Sequence, residues 1–221
     1  MFPLRDSVPS KNFPLVVVTL IAVNAMVFFY ELTLGMPGIE QLFYEYGLVP
    51  ADYGPGQTPP LGYLPFITSM FLHGSWLHII ANMWILWIFG DNIEDRMGRV
   101  KFILFYLICG VIAALAHYVS NPASVLPVIG ASGAVAGVMG AYFLMYQDAK
   151  VLTFVPPFFF FNLPAYIFLG IWVLTQFYCA AAELISSACG PIAFWAHLGG
   201  FLAGMILYRF FINPAGSTAA D

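Results

Sequence analysis

The stretch Gly130-Ala-Ser-Gly-Ala-Val-Ala-Gly-Val-Met-Gly-Ala-Tyr-Phe-Leu-Met-Tyr-Gln147 is as apolar as a membrane helix but too short to be an ordinary one. Counted from Ser132, its sixteen residues rise roughly 24 Å at about 1.5 Å each, against a hydrocarbon core of about 30 Å. Its N-terminal end is therefore expected to start below one bilayer surface. Irregular backbone at that depth is tolerated only where protein buries it or water fills a cavity, so segment 120–131 reads as a re-entrant loop beside a wet pocket.

The rest of the chain supports a membrane setting. Of 221 residues, 61% are hydrophobic and only 8% charged, whereas about a quarter of residues are charged in soluble domains. Mean hydropathy is +0.86, and no stretch is polar enough for a separate aqueous domain. A formal charge of −4 with seven scattered Lys and Arg excludes a nucleic-acid footprint. Cys109, Cys179 and Cys189 have neither CxxC nor Cys/His spacing, so they read as small apolar packing residues. No metal site or cofactor is signalled.

Dividing the chain at charges, prolines and loop segments gives six spans, about 14–34, 76–90, 100–119, 132–147, 163–186 and 191–211. The first reads as a retained helix, because no small-residue cleavage site follows it. The expected architecture is an all-α membrane bundle: a short N-terminal segment at 1–13, a six-helix domain at 14–212 and a polar tail at 213–221. With six crossings, Lys11, Arg96, Arg99, Lys101, Lys150 and Arg209 all lie on one side, and the loops opposite carry no basic residue. The positive-inside rule then puts both termini in the cytoplasm. A compact chain of this kind suits a bacterial inner membrane, with a eukaryotic organelle membrane as the alternative.

The first loop, from Gly35 to about Ser75, is acidic, aromatic and rich in Pro and Gly, and is expected in the outer headgroup layer. Asp91, Glu94, Asp95 and Asp148 are expected at inner span ends and Glu31 and Glu183 near outer ends, where none of them needs to be buried. Pro156-Pro157 reads as a turn, and Phe158–Phe161 as packing or interface anchors.

Few polar groups remain for the hydrocarbon, where such groups are expensive and usually functional. Span two runs inward, with His78 near its outer end and Asn82 one turn deeper on the same face. Ser132 sits at the recessed start of span four, and His197 about 9 Å below the outer surface on span six. A serine, two histidines and an amide thus share one level. The stripes Gly133-Ala-Val-Ala-Gly137 and Gly200-Phe-Leu-Ala-Gly204 allow close helix approach. If they face each other, His197 is aimed at the start of span four.

A serine hydroxyl is a poor nucleophile until a base takes its proton, and neutral His197 is suited to that task. Attack on a carbonyl creates an oxyanion, for which Asn82, His78 and the Ser132 backbone N–H are candidate donors. No carboxylate lies at the right depth to orient His197, so the set reads as a Ser-His dyad rather than a triad.

With these residues in hand, the sequence resembles the rhomboid intramembrane serine proteases. The resemblance rests on His73-Gly-Ser-Trp-Leu-His78-Ile-Ile-Ala-Asn82, on Gly130-Ala-Ser132-Gly133, and on Ala196-His197-Leu-Gly-Gly200 with Gly204. It implies hydrolysis of a peptide bond in or near the transmembrane segment of another membrane protein, with Ser132 as nucleophile, His197 as base, and His78 and Asn82 stabilising the oxyanion. Transmembrane proteins would be the partners, together with membrane lipids. It also implies that span five gates the site, near Trp172, Gln176 and Phe177, and that Gly90–Gly98 is a structural turn. Some members stack a tyrosine, one turn after the nucleophile, on the catalytic histidine. This chain has Ala136 there, so an aromatic residue on span two or five is expected to orient His197. His73 is read as structural or interfacial and His117 as interfacial.

Two other functions compete. A catalytically silent rhomboid-like binding protein would have lost a reacting group, whereas both Ser132 and His197 are present. A transporter would continue its polar path across the bilayer, whereas the polar set here is confined to the outer half. The aspartate pair of an aspartyl site and the HExxH of a zinc protease are both missing from the sequence.

Overall fold

A computed structural model describes residues 1–57, 59–183 and 193–213. Apolar runs form α1 (Leu15–Thr33), then, after α2 (Gly35–Tyr46) and the one-turn α3 (Pro65–Thr68), α4 (Trp76–Met97), α5 (Arg99–Ser120), α6 (Ser132–Met145) and, later, α7 (Ala165–Glu183). The last helix is α8 (Phe194–Phe211). The expected fifth loop, most of the polar tail and Cys189 lie outside the described residues. Among the described residues, three helices, α1, α5 and α7, are long and apolar enough to cross a bilayer, or four if Pro65–Phe71 and α4, bent by 96°, count as one span.

At the centre lies α6, whose fourteen residues rise only about 21 Å. Every residue from Gly133 to Tyr142 is buried. The glycine stripes face one another: a Cβ on Gly204 would collide with the Gly137 carbonyl, and one on Gly200 with that of Gly133. On another side of α6, Cys109 and Ala113 of α5 pack against the same glycines. Side chains larger than hydrogen would separate the backbones that carry Ser132 and His197.

The all-α expectation is corrected by an antiparallel sheet in the order β1-β2-β3, formed by β1 (Phe2–Asp6), β2 (Lys150–Val155) and β3 (Phe159–Pro164). The turn read at Pro156-Pro157 closes a hairpin. These strands escaped the sequence reading because the apolar run 151–161 hides its alternation, and the partner strand lies almost 150 residues earlier.

Four readings of single residues also change. Glu94 is buried, and its two oxygens accept the N–H groups of Val16 and Val17 at 3.0 and 2.9 Å, so it caps the otherwise unsatisfied start of α1. Asp95 likewise accepts the N–H groups of Lys11 and Asn12, which gives the Gly90–Gly98 turn a structural task. Glu31 is buried rather than exposed. His117 is buried rather than interfacial. Cys109 is a buried free thiol, but Cys179 is disulfide-bonded rather than a packing residue.

Candidate active site

The loop before α6 is held by backbone hydrogen bonds: Leu48 and Val128 exchange two, at 3.0 and 2.8 Å, and Gly130 N–H donates to Ser69 at 2.8 Å. Gly130 has φ +122°, a conformation that favours glycine, and a Cβ there would meet the His78 ring at 2.5 Å. The chain therefore turns tightly beneath His78 and delivers Ser132 to the first position of α6. The N–H groups of that first turn have no partner within the helix.

Ser132 Oγ lies 2.8 Å from His197 Nε2. The glycine contacts between α6 and α8 set this distance, since both residues are carried on the paired stripes. On the other side of the ring, His197 Nδ1 lies 2.7 Å from Gln176 Oε1. The Trp172 ring tilts by 34° over the imidazole at 5.9 Å, and Phe194 meets it edge-on at 6.4 Å. The imidazole is thus contacted from α7 by an aromatic ring and by an amide, both residues that the family resemblance places at a gate. Phe177 is exposed on α7.

His78 and Asn82 converge on Gly130, since its Cβ position is 2.5 Å from His78 Nε2 and 3.7 Å from Asn82 Nδ2. Asn82 Nδ2 also lies 3.1 Å from His73 Nε2, and the His73 and His78 rings meet at 5.0 Å. A side-chain amide has two N–H donors, so one stays available when the other serves His73. His73 is buried, and its own N–H donates to Glu31 Oε1 at 3.1 Å. Glu31 thereby fixes the segment that supports Asn82. Sequence reading missed this link because an acidic residue at a span end looks like an ordinary interfacial group. Among the described residues, no group of three or more His, Cys, Asp or Glu is arranged to hold a metal ion.

The molecule is thus a membrane protein with a serine hydrogen-bonded to a histidine between closely packed helices. The rhomboid domain model matches residues 61–214, and the chain belongs to the rhomboid family. It is 29% identical over 188 residues to rhomboid protein 1, mitochondrial, of Saccharomyces cerevisiae, covering 81% of this chain and 49% of that one. Identity to the presenilin-associated rhomboid-like protein, mitochondrial, of Mus musculus is 32% over 149 residues, covering 64% and 36% respectively. RHOMBOID-like protein 1 of Arabidopsis thaliana is 31% identical over 148 residues, or 66% of this chain and 34% of that one. The chain spans half or less of the length of these relatives. Membership supports a function of the intramembrane protease type. The expected bacterial inner membrane has no counterpart among these names, two of which are mitochondrial.

Proposed function

We propose that the protein is an intramembrane serine endopeptidase that hydrolyses a peptide bond in or near the transmembrane segment of other membrane proteins. The observation that carries this reading is the 2.8 Å contact between Ser132 Oγ and His197 Nε2. In the reaction, Nε2 takes the hydroxyl proton as Oγ attacks the scissile carbonyl carbon. The tetrahedral oxyanion is held by the Asn82 amide, the His78 ring and the backbone N–H of Ser132. Collapse expels the amine, which receives the proton from His197 and leaves an acyl ester on Ser132. Water, deprotonated by the same histidine, then releases the acid and restores the serine.

Gln176 positions the base. Its carbonyl oxygen can only accept, so the proton of a neutral imidazole stays on Nδ1 and the Nε2 lone pair faces Ser132. In this reading the chain crosses the membrane six times with both termini in the cytoplasm, and the site opens toward the opposite face. A hydrogen-bonded substrate helix hides its carbonyls, so cleavage requires a segment that unwinds there.

The test uses purified protein in liposomes with a helical single-span substrate. Ser132→Ala and His197→Ala each abolish cleavage while helix content and unfolding temperature are retained, and Asn82→Ala lowers the rate by roughly 10²–10³-fold. Undiminished cleavage by Ser132→Ala would remove the proposed nucleophile. Solute flux through the same liposomes that survives Ser132→Ala would favour a transporter.

A further inference from the structure

The sheet is not explained by proteolysis, and its two faces differ. Val151 and Thr153 are fully buried against the bundle. On the outward face, pairing aligns Phe2, Phe154 and Phe160 in one row and Arg5, Leu152 and Asn162 in the next, with Lys150 two residues beyond Leu152. One end of this face is aromatic, and the other end is cationic and polar.

Its orientation along the bundle follows from two hydrogen bonds to α4. Trp84 Nε1 donates to the Pro3 carbonyl at 2.6 Å, and Asn92 Nδ2 to that of Val8 at 3.2 Å. Trp84 and Asn92 are eight residues, about 12 Å, apart along the helix axis. β1 therefore runs beside α4. The aromatic row stands level with the apolar Trp84 turn, and the cationic row lies toward the charged turn at Asp91–Arg96.

The hairpin tip carries aromatic groups on both faces. Phe158, Phe159, Phe160 and Phe161 are 83, 58, 60 and 47% exposed. Phe159 and Phe161 share the bundle-facing side, yet among the described residues the bundle leaves both about half exposed. Three exposed phenylalanines on an edge strand, preceded by a fourth in the turn, are costly in water and favourable at the boundary of acyl chains and headgroups. Below them, Arg5, Lys150, Ser7, Asn162, Leu152 and Asp6 line a recess of about 290 Å³. Asp6 is engaged by the Tyr142 hydroxyl, and Ser7 Oγ accepts from the Lys150 N–H at 2.9 Å. The guanidinium of Arg5 and the ammonium of Lys150 have no hydrogen-bond or ion-pair partner among the described residues.

We propose that this sheet is a lipid-binding wedge: the side chains of Phe158–Phe161 enter the boundary of acyl chains and headgroups in the leaflet nearest the Asp91–Arg96 turn, and Arg5, Lys150 and Asn162 hold the phosphate of an anionic phospholipid in the recess. The aromatic tip and the cations are spaced along the membrane normal as acyl chain and headgroup are in the lipid. Complementary charge makes an anionic phospholipid the occupant. The site is independent of the Ser132 chemistry.

Two measurements on the full chain test it. A nitroxide on Phe159→Cys, in bilayers of phosphatidylcholine and phosphatidylglycerol, is relaxed more strongly by oxygen than by a water-soluble nickel chelate, with the unsubstituted chain giving the label background. Stronger nickel relaxation, or spin–spin broadening that reports a second copy over the hairpin, overturns the wedge. In detergent micelles, fluorescent phosphatidylglycerol is retained by the wild type. Arg5→Gln or Lys150→Gln weakens retention about fivefold and the double variant roughly 25-fold, with phosphatidylcholine retention unchanged. Equal retention by wild type and double variant, or full displacement by millimolar inorganic phosphate, overturns the lipid assignment.

Discussion

His197 Nδ1 lies 2.7 Å from Gln176 Oε1 while its Nε2 lies 2.8 Å from Ser132 Oγ, so the imidazole is held at both nitrogens by side chains from two other helices. A ring held at one nitrogen alone can rotate or change tautomer. With an amide oxygen fixed at Nδ1, only one neutral form satisfies both contacts. In the proposed mechanism Gln176 takes the orienting place that a carboxylate occupies in a triad, without bringing a charge to the site.

Replacing that acceptor should slow chemistry rather than binding. Gln176→Leu is expected to lower kcat roughly 10–100-fold with KM nearly constant, and Gln176→Glu, which retains an acceptor, to recover much of the loss. Steady-state cleavage kinetics in liposomes make the check. A raised KM at unchanged kcat would instead assign Gln176 to substrate entry.

Gly130→Ala should inactivate the protein without unfolding it. The added methyl meets the His78 ring and the backbone there is at φ +122°, a strain of about 1–3 kcal/mol concentrated on the Ser132 loop. Cleavage is expected to fall at least about 100-fold, while the unfolding temperature in detergent drops only modestly. Near-normal cleavage would contradict the tight turn.

Gly204→Val tests the close approach of α6 and α8. No room exists beside the Gly137 carbonyl, so the helices must separate at a cost of about 1–3 kcal/mol or more. Both stability and cleavage should fall, as read by thermal unfolding and activity in one preparation. A stable and active variant would show that the stripes do not set the Ser132–His197 distance.

Asp6 links β1 to α6 through the Tyr142 hydroxyl. Burial pushes its carboxyl above the ordinary 3.8, an effect larger than the opposing hydrogen bond. The fold therefore favours the protonated acid. That contribution is complete below the unfolded-state value and is lost as pH rises through the folded-state value. Asp6→Asn, which mimics the neutral acid, should gain stability relative to wild type as pH rises from about 4 to about 7. Unfolding temperatures of both proteins across this range provide the check, and a relative loss with rising pH would contradict it.

The elements closest to the chemistry were the most legible. The shortness of 132–147 and the glycine spacing on two spans are local facts, and each follows from helix geometry alone. The sheet was hidden because its strands pair across almost 150 residues and its apolar run suppresses the period-two signal. The burial of Glu31 and Glu94 is hidden for a related reason. Acidic residues near span ends ordinarily face headgroups, and only the folded chain brings the His73, Val16 and Val17 N–H groups within their reach. Gln176 carried a polar signal inside an apolar span, but its partner became evident only when α7 packed against α8.

The most direct test is to treat the protein with a fluorophosphonate, which loses fluoride to an activated serine oxygen, and to map the adduct by mass spectrometry of peptides. The expected result is phosphonylation of Ser132 in the wild type, with loss of labelling in His197→Ala and strong slowing in Gln176→Leu. Labelling of another serine, or labelling of Ser132 at the wild-type rate without His197, would contradict a nucleophile activated by this histidine.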